Sequence, residues 1–214
     1  MIKKTLLAVG ALLLASTAAN AAVVTLTFEG VGDLNAVGNF YAGQGIVFSG
    51  DTLALVDADA GGSGNFANEP TNDTIMFFTN GNNAILNVAA GFDTGFSFFY
   101  TSSTAAGVTV WDNIDGTGNL LATLSLQAQH DQNCVGDPNG SFCNWTAVGV
   151  LFGGSAKSIN FAGTAGATGF DNITFGSANP GIPEPATWAL LIGGFGMVGT
   201  AMRRRGARLG TIAA

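Results

Sequence analysis

The sequence predicts an all-β protein whose central part is a jelly-roll-like β-sandwich, and three observations carry this prediction. Short apolar or alternating stretches recur along the chain, without a convincing amphipathic helical period. Clusters rich in Gly and Asn separate them, as at residues 80–83 and 115–118, and supply the positive φ angles of tight turns. The apolar fraction is 47%, with 16 phenylalanines, which is too much apolar surface for a disordered chain.

Ten or more short strands are expected, in the pattern typical of two-sheet sandwiches. The first alternates, with Val24, Leu26 and Phe28 on one face. Residues 112–116 are expected to form a hairpin turn. In chain order the expected strands cover residues 23–29, 46–48, 53–56, 75–79, 85–88, 92–101, 108–111, 120–126, 145–152, 158–161 and 170–175.

The N-terminus has the layout of a secretory signal peptide, residues 1–21. Lys3 and Lys4 form a basic start, residues 5–15 are apolar, and Ala19 and Ala21 are small residues of the kind that a signal peptidase reads. Cleavage is expected after Ala21. A retained membrane anchor is the alternative, but the apolar stretch is too short to span a bilayer.

The segment between the two chain ends is strongly acidic. Of the 7 Lys and Arg residues only Lys157 lies there, against 13 of the 14 Asp and Glu residues, which leaves a formal charge of −12. Nucleic acid is therefore excluded as a partner, because phosphate binding depends on clustered basic residues. The acidity suits a soluble exported protein or one that binds divalent cations. Its length suits one domain, which we place at residues 22–178.

Cys134 and Cys143 are the only two cysteines, and turn-forming residues separate them. In an oxidising compartment such a pair is expected to form a disulfide that closes a surface loop. A zinc site is the competing interpretation. It would lack ligands, because His130 is the only histidine and no third cysteine exists.

The C-terminal part combines a proline-bounded tripeptide, an apolar run and a basic cluster. Residues 186–202 carry no charge and would form a transmembrane helix of about 25 Å, close to the ~30 Å of a hydrocarbon core. Trp188 suits the outer headgroup region, and the basic residues suit the cytoplasmic side. The basic residues of this stop segment, 203–208, are Arg203, Arg204, Arg205 and Arg208.

Gly193, Gly196 and Gly199 recur at every third position of this run. They could form a flat face for a partner helix, or they reflect the ordinary tolerance of membrane helices for glycine. The sequence does not decide between these two interpretations.

This order of parts resembles the PEP-CTERM protein-sorting domain, with Pro183, Glu184 and Pro185 as its motif. The resemblance implies a protein exported by a Gram-negative bacterium and held in the inner membrane by residues 183–208. An exosortase, thought to be a cysteine transpeptidase, would then recognise the motif and pass the protein to the cell surface or extracellular matrix. The three motif residues would be substrate residues. Residues 179–182 would be a linker; the trailing 209–214 departs from the family, whose tails usually stop sooner.

Three phrases of the central domain, at residues 27–30, 41–50 and 169–175, resemble ectodomains found ahead of PEP-CTERM tails and, loosely, jelly-roll carbohydrate-binding modules. The resemblance implies that the first and last strands are neighbours and that an acid on each holds a structural Ca²⁺. Glu29 and Asp171, with Asp51 as a third, would be the ligands. Alternatively, Glu29 ends a strand in solvent and Asp171 belongs to a turn.

The expected function of the domain is structural or binding, without catalysis. Neither a Gly-x-Ser-x-Gly motif nor a set of partners for His130 is visible in the sequence. The alternative is a lectin-like module for exopolysaccharide, whose genes often accompany exosortases, and a polysaccharide-degrading enzyme is a remote third. Exposed coplanar rings of Tyr100, Trp111 and Trp145 would favour sugar binding.

Overall fold

A computed structural model describes residues 23–80, 83–131, 134–135, 140–180 and 195. These residues form two antiparallel β-sheets that pack face to face, which confirms the all-β sandwich. No helix of the described part is long and apolar enough to cross a membrane. The predicted signal peptide and sorting motif lie outside the described residues, as does the predicted membrane helix apart from Phe195.

The described residues form eleven strands and two short 3₁₀ turns, at Ala42–Gln44 and Ile114–Gly116. In chain order the strands are β1 (Val24–Leu26), β2 (Ile46–Phe48), β3 (Thr52–Val56), β4 (Thr74–Phe78), β5 (Asn83–Phe92), β6 (Gly95–Ser102), β7 (Ala106–Trp111), β8 (Leu120–Leu126), β9 (Thr146–Leu151), β10 (Ala156–Ala162) and β11 (Thr168–Phe175). Sheet A has the order β3-β4-β11-β6-β9, with β1 also paired to β11. Sheet B has the order β2-β5-β10-β7-β8.

The strands follow the predicted pattern closely, and two differences have a backbone cause. The first strand stops at Leu26, earlier than expected, because Phe28 has φ 64° and leaves the extended conformation. The predicted strand 92–101 is divided, since Thr94 has φ 73° in a turn that separates β5 from β6. The β7–β8 hairpin forms where it was predicted.

Strands β1 and β4 pair with different parts of the same edge of β11. Met76 of β4 pairs with Phe170, whereas β1 pairs lower down, from Leu26 opposite Ile173 to Val24 opposite Phe175. The first and last strands are therefore neighbours. The register of β11 against β6 shifts between Asp171 and Thr174, so an irregularity lies where β1 gives way to β4.

The core between the sheets is aromatic. Phe96, Phe98, Phe161 and Phe170 are fully buried, and Phe161 has its ring centroid 4.8 Å from that of Phe170 and 5.8 Å from that of Phe98. Tilted and edge-on pairs at such distances contribute about 0.5–1.5 kcal/mol each beyond the burial of their surface.

The outer face of sheet A is covered by two loop segments, which we call the cover (residues 65–73 and 140–145). Phe66 of the cover is only 1% exposed, and its ring meets that of Trp145 edge-on at 6.4 Å. The Trp145 indole N–H donates to the Ala67 carbonyl at 3.0 Å. The cavity left between the cover and the sheet has a volume of about 30 Å³, which leaves room for one water molecule.

The disulfide between Cys134 and Cys143 is present, as predicted, and joins Cα atoms 5.0 Å apart. Two backbone hydrogen bonds hold the cover segment at Cys143, one to the chain after β8 and one to the other cover segment. The backbone N–H of Cys143 donates to the His130 carbonyl at 2.6 Å, and that of Ser141 donates to the Asn65 carbonyl at 2.7 Å. The disulfide therefore joins the second cover segment, at Cys143, to the chain that follows β8.

Candidate functional site

Glu29 lies at the junction where β1 gives way to β4. Its side chain accepts two hydrogen bonds from Thr74, one from the backbone N–H at 3.1 Å and one from the hydroxyl at 3.0 Å. The left-handed backbone of Phe28, just before it, turns the chain away from the strand. Glu29 thus joins the end of β1 to the start of β4.

Asp171 lies on β11 beside the same junction and is completely buried. One carboxylate oxygen accepts from the Thr71 backbone N–H at 3.1 Å and from the Thr71 hydroxyl at 2.9 Å. The other accepts from the backbone N–H of Asn172 at 2.7 Å. Asn172 has φ 50°, at the irregular part of the strand. The cover therefore attaches to β11 through this carboxylate.

Burial raises the pKa of Asp171 to about 7, because a buried carboxylate loses its hydration. The hydrogen bonds from Asn172 and Thr71 act in the opposite direction, and the negative charge of Glu29 raises the pKa further. Lys157, the one basic residue between residues 23 and 180, belongs to β10 in the other sheet. The junction thus brings two carboxyl groups together, and no Lys or Arg among the described residues of sheet A compensates their charge.

Tyr41 is the third acidic group at this junction. Its hydroxyl oxygen accepts the backbone N–H of the buried Phe28 at 2.7 Å, which supports the left-handed turn before Glu29. Burial, with further contributions from Asp171 and Glu29, raises the pKa of Tyr41 to about 12. The tyrosine stays neutral and acts as a hydrogen-bonding support.

The predicted third ligand, Asp51, is placed elsewhere. It is exposed and precedes β3, whose Thr52 pairs with Phe78. The other end of that ladder pairs Val56 with Thr74, the partner of Glu29. The two ends are about 13 Å apart along the strand. The structure therefore brings Glu29 and Asp171 to one junction and leaves Asp51 outside it.

The donor chemistry of the junction fits a hard cation in part. Two carboxylates with an uncompensated charge are what Ca²⁺ prefers, together with neutral hydroxyl, amide and carbonyl oxygens. Thr71 and Asn172 supply such neutral oxygens beside Asp171. Among the described residues no group of three or more His, Cys, Asp or Glu side chains is arranged to hold a metal. A cation here would depend on the two carboxylates Glu29 and Asp171, which would hold it and be neutralised by it.

The outer face of sheet B differs, because much of it stays open. Thr109 and Trp111 of β7 alternate with the buried Val108 and Val110, and they point outward. The Trp111 indole N–H donates to the Thr109 hydroxyl at 2.9 Å. Asn160, the neighbour of Thr109 on β10, has a buried side-chain oxygen without a hydrogen-bond partner. The open face thus combines a half-buried indole with amide and hydroxyl groups.

One end of this face is covered by the β7–β8 turn. Asp115 and Asn87 exchange hydrogen bonds, from the Asn87 amide to the Asp115 carboxylate at 2.7 Å and from the Asp115 backbone N–H back to Asn87 at 2.8 Å. The Ser158 hydroxyl accepts from the Gly116 backbone N–H at 3.0 Å. These contacts fix the turn beside Trp111.

The three aromatic residues singled out for sugar binding do not form one platform. Tyr100 is 4% exposed in the core, with its hydroxyl hydrogen-bonded to Gln127. Trp145 belongs to the cover on sheet A, whereas Trp111 lies on sheet B. The His130 ring packs on Phe142 at 5.4 Å. Only Trp111 of the three belongs to the open outer face.

Sequence reasoning missed Thr71, Thr74 and Tyr41, the residues that hold the two carboxylates in place. Thr71 is 100 residues away from Asp171 in the chain, and no motif marks it. The phrase around Tyr41 was noted, but nothing in it reveals that the hydroxyl supports Phe28.

Solved structures that match this chain include an adhesin domain and carbohydrate-binding modules. The K2 cleaved adhesin domain of Lys-gingipain is 14% identical, with a TM-score of 0.45 over 72% of this chain and 97% of that one. A carbohydrate-binding module from Clostridium stercorarium, in complex with cellobiose, is 15% identical, with a TM-score of 0.37 over 60% and 84%. A module of the Cellvibrio mixtus lichenase 5A, in complex with cellotriose, is 15% identical, with a TM-score of 0.34 over 58% and 86%.

None of the curated proteins compared with this chain matches it. The C-terminal segment does match a family model. Residues 181–205 correspond to the PEP-CTERM protein-sorting motif, within which Pro183, Glu184 and Pro185 stand. The chain therefore carries a PEP-CTERM protein-sorting motif at its C-terminus.

Proposed function

We propose that this chain is an exported protein of the cell surface or extracellular matrix of a Gram-negative bacterium, with an ectodomain that binds or assembles and does not catalyse. The observation that carries the proposal is the match of residues 181–205 to the PEP-CTERM sorting motif. An exosortase is the processing enzyme implied by that motif.

The ectodomain supports an extracytoplasmic location independently of the tail. The Cys134–Cys143 disulfide persists in oxidising compartments and is rare in a reducing cytosol. The signal peptide 1–21 and the membrane helix 186–202 have their basic residues at opposite ends of the chain. With both basic ends on the cytoplasmic side, the ectodomain lies outside the inner membrane.

Processing then takes place at both ends. Signal peptidase cleaves after Ala21, and residues 186–202 hold the product in the inner membrane. Two prolines fix φ at the motif and prevent it from joining the helix behind it, so Pro183, Glu184 and Pro185 present an extended segment to the exosortase. The enzyme removes the tail, and the ectodomain reaches the surface or matrix.

The test is a chain with an epitope after Ala214, expressed in a host with and without an exosortase. Loss of the epitope is expected only with the enzyme present. The triple variant Pro183→Ala, Glu184→Ala and Pro185→Ala should keep the epitope, whereas the control Ile182→Ala should lose it. Retention of the epitope in the wild type, with an exosortase shown to process another substrate, would contradict the proposal.

A second candidate function is the binding of exopolysaccharide by the outer face of sheet B. The observation that favours it is the half-buried indole of Trp111 close to Asn160, whose side-chain oxygen has no partner. An indole stacks on the apolar face of a sugar ring, and neutral amide and hydroxyl groups suit its hydroxyls. Buried polar oxygens without partners are rare enough to suggest a missing ligand or water.

Affinity electrophoresis in gels containing bacterial exopolysaccharides tests this candidate. Retardation of the wild type should be lost in Trp111→Ala and kept in the control Trp145→Ala, whose indole lies on the opposite side of the sandwich. The same polysaccharides assayed for new reducing ends address the remote alternative of a degrading enzyme. An equal mobility of all three proteins in every gel would overturn the binding candidate.

We also propose that Glu29 and Asp171 hold a structural Ca²⁺. Such an ion would offset the loss of hydration that, with the nearby charge of Glu29, raises the pKa of Asp171, and would stabilise the domain by mass action. Added Ca²⁺ should raise the melting temperature of the wild type, but not that of Glu29→Gln or Asp171→Asn, while the control Asp51→Asn should respond as the wild type does. An unchanged melting temperature of the wild type at millimolar Ca²⁺ would end the proposal.

A further inference from the structure

The segment that follows β11 does not leave the domain at the end of the strand. Residues 176–179, which we call the strap, fold back across the outer face of sheet A over β6 and β9. The Gly176 backbone N–H donates to the Gly95 carbonyl at 2.9 Å, and the Ser97 hydroxyl donates to the Ser177 carbonyl at 2.8 Å. Ser97 is 0% exposed as a result.

Two strand glycines make room for the strap. A Cβ added at Gly149 would collide with the Ala178 carbonyl and would lie 2.8 Å from the Ser97 Cβ. A Cβ at Gly95 would lie 3.0 Å from the Ala178 nitrogen. Neither glycine has a positive φ, so the backbone angles there would allow other residues. Glycine is favoured at these two strand positions by the close approach of the strap, together with the Ser97 Cβ at Gly149 and the Leu151 side chain at Gly95.

The strap also has internal hydrogen bonds. The Ser177 hydroxyl donates to the Asn179 carbonyl at 2.9 Å and accepts the Asn179 backbone N–H at 3.1 Å. Residues 176–178 are half-buried, and Asn179 is exposed. The strap is thus a docked segment with a defined end at residue 179.

This end lies close to the sorting motif in the chain. Pro183 is four residues beyond Asn179, so even a fully extended chain places it within about 14 Å of the docked strap. An enzyme that binds its substrate as an extended strand needs free residues on both sides of the motif. On the N-terminal side, only three residues of the sequence, 180–182, separate the docked strap from the motif.

We propose that the strap is a latch that holds the processing segment against the folded ectodomain, with Gly149 and Ser97 as its positioning residues. Release of the strap frees residues 176–179 from sheet A and speeds removal of the tail. The part of this inference that concerns tail removal rests on the proposed function, whereas the docking of the strap does not.

Docking is tested on the full chain in detergent micelles, treated with proteinase K and followed by intact mass. Cleavage within residues 176–182 should be about tenfold faster in Gly149→Val than in the wild type, as a loss of about 1.4 kcal/mol of docking free energy would produce. The matched control is Gly153→Val, because Gly153 lies four residues beyond Gly149 with nothing within 4 Å of its added Cβ. It should be cut at the wild-type rate.

Ser97→Ala, which removes one strap hydrogen bond without adding volume, provides the milder second variant. It keeps the test valid if Gly149→Val does not fold, and its cleavage rate should lie between those of the wild type and the valine variant. Equal cleavage rates in wild type, Ser97→Ala and Gly153→Val would overturn the docking inference.

The effect on processing is tested with the same variants in a host that contains an exosortase. Tail loss should be faster in Gly149→Val and Ser97→Ala than in the wild type and in Gly153→Val. If the wild type is processed and the strap variants are not faster, the latch is overturned. If no variant is processed while proteinase K still distinguishes them, the proposed function fails and the docked strap stands.

Discussion

The outer faces of the two sheets differ in how far other segments of the chain cover them. That of sheet A lies under the cover and the strap, and every residue of its central strand, Thr168–Phe175, is buried. In sheet B the central strand Ala156–Ala162 alternates between buried and half-buried positions. The fully buried Ser158 of that strand accepts a hydrogen bond from the β7–β8 turn.

The difference shows which outer face the chain covers with its own segments and which it leaves largely open. On sheet A, segments of the chain itself provide partners for outer-face polar groups, as in the Thr71–Asp171 and Ser97–Ser177 hydrogen bonds. On sheet B, Asn160 has a buried oxygen without a partner next to an indole. The two faces therefore differ in that sheet A has a third layer and sheet B is covered mainly at the β7–β8 turn.

The largest expected effect comes from removing the cover. Phe66→Ala should lower the free energy of unfolding by about 3–5 kcal/mol, because Phe66 is buried against Trp145 and sheet A. Val47→Ala, at a position of sheet B that is 38% exposed, should cost about 1 kcal/mol or less. Denaturant unfolding monitored by tryptophan fluorescence measures both. Equal losses would mean that the two faces do not differ in this way.

The buried carboxylate under the cover should make stability depend on pH. Because the pKa of Asp171 is raised from 3.8 to about 7, the folded state holds a proton that the unfolded state has released. Stability should therefore fall as the pH rises from about 5 to about 8, by roughly 2–3 kcal/mol in the presence of a chelator.

Asp171→Asn should remove this slope, whatever its effect on stability at a single pH. Glu29→Gln should shift the fall to lower pH, because it removes a neighbouring charge that raises the pKa of Asp171. Thermal melts across the pH range give the slopes. A wild type whose stability rises between about pH 5 and about pH 8 would contradict the assignment.

Reduction of the disulfide should loosen the cover. The chain-entropy model gives about 2–3 kcal/mol for a loop of this length, so Cys134→Ser with Cys143→Ser should lose about that much stability. Hydrogen exchange should rise at the backbone amides of Ser141 and Ala67, which hold the cover together. The amides of sheet B should exchange as before, and an equal increase there would argue against a local role.

The smallest of these effects is expected at Tyr41. Tyr41→Phe leaves the buried backbone N–H of Phe28 without its acceptor, which should cost about 1–3 kcal/mol. Tyr100→Phe is the comparison, since the Tyr100 hydroxyl exchanges longer hydrogen bonds of 3.2 and 3.3 Å with Gln127. Urea unfolding at one pH measures both losses. An unchanged free energy of unfolding in Tyr41→Phe would mean that the Tyr41 hydroxyl does not stabilise the junction.

Sequence alternation predicted the inner faces and failed on the outer ones, for a physical reason. Apolar residues alternate with polar or smaller ones at Leu86, Val88, Phe96 and Phe98. This alternation predicted strands with one face in the core. The segment Thr168–Phe175 contains polar residues that look solvent-exposed in sequence, because the cover that buries Asp171 comes from residues about 100 positions earlier. Period-two patterns carry no information about such a third layer.

The residues of the candidate site were likewise predicted only in part. The resemblance to jelly-roll modules pointed to Glu29 and Asp171 near the first and last strands, whereas Asp51 was included without knowledge of the β3–β4 register that places it elsewhere. The strap was invisible in sequence, since the glycines at 95 and 149 look like any others of the 32 in the chain.

The most direct test of the central claim is intact-mass analysis of the native protein from the inner membrane and from the cell surface. The account predicts a surface form that begins at Ala22, lacks the residues beyond the Pro183–Pro185 motif and has two hydrogens fewer than the reduced chain, owing to the disulfide. A full-length polypeptide with both thiols reduced, recovered from the cytosol, would contradict it.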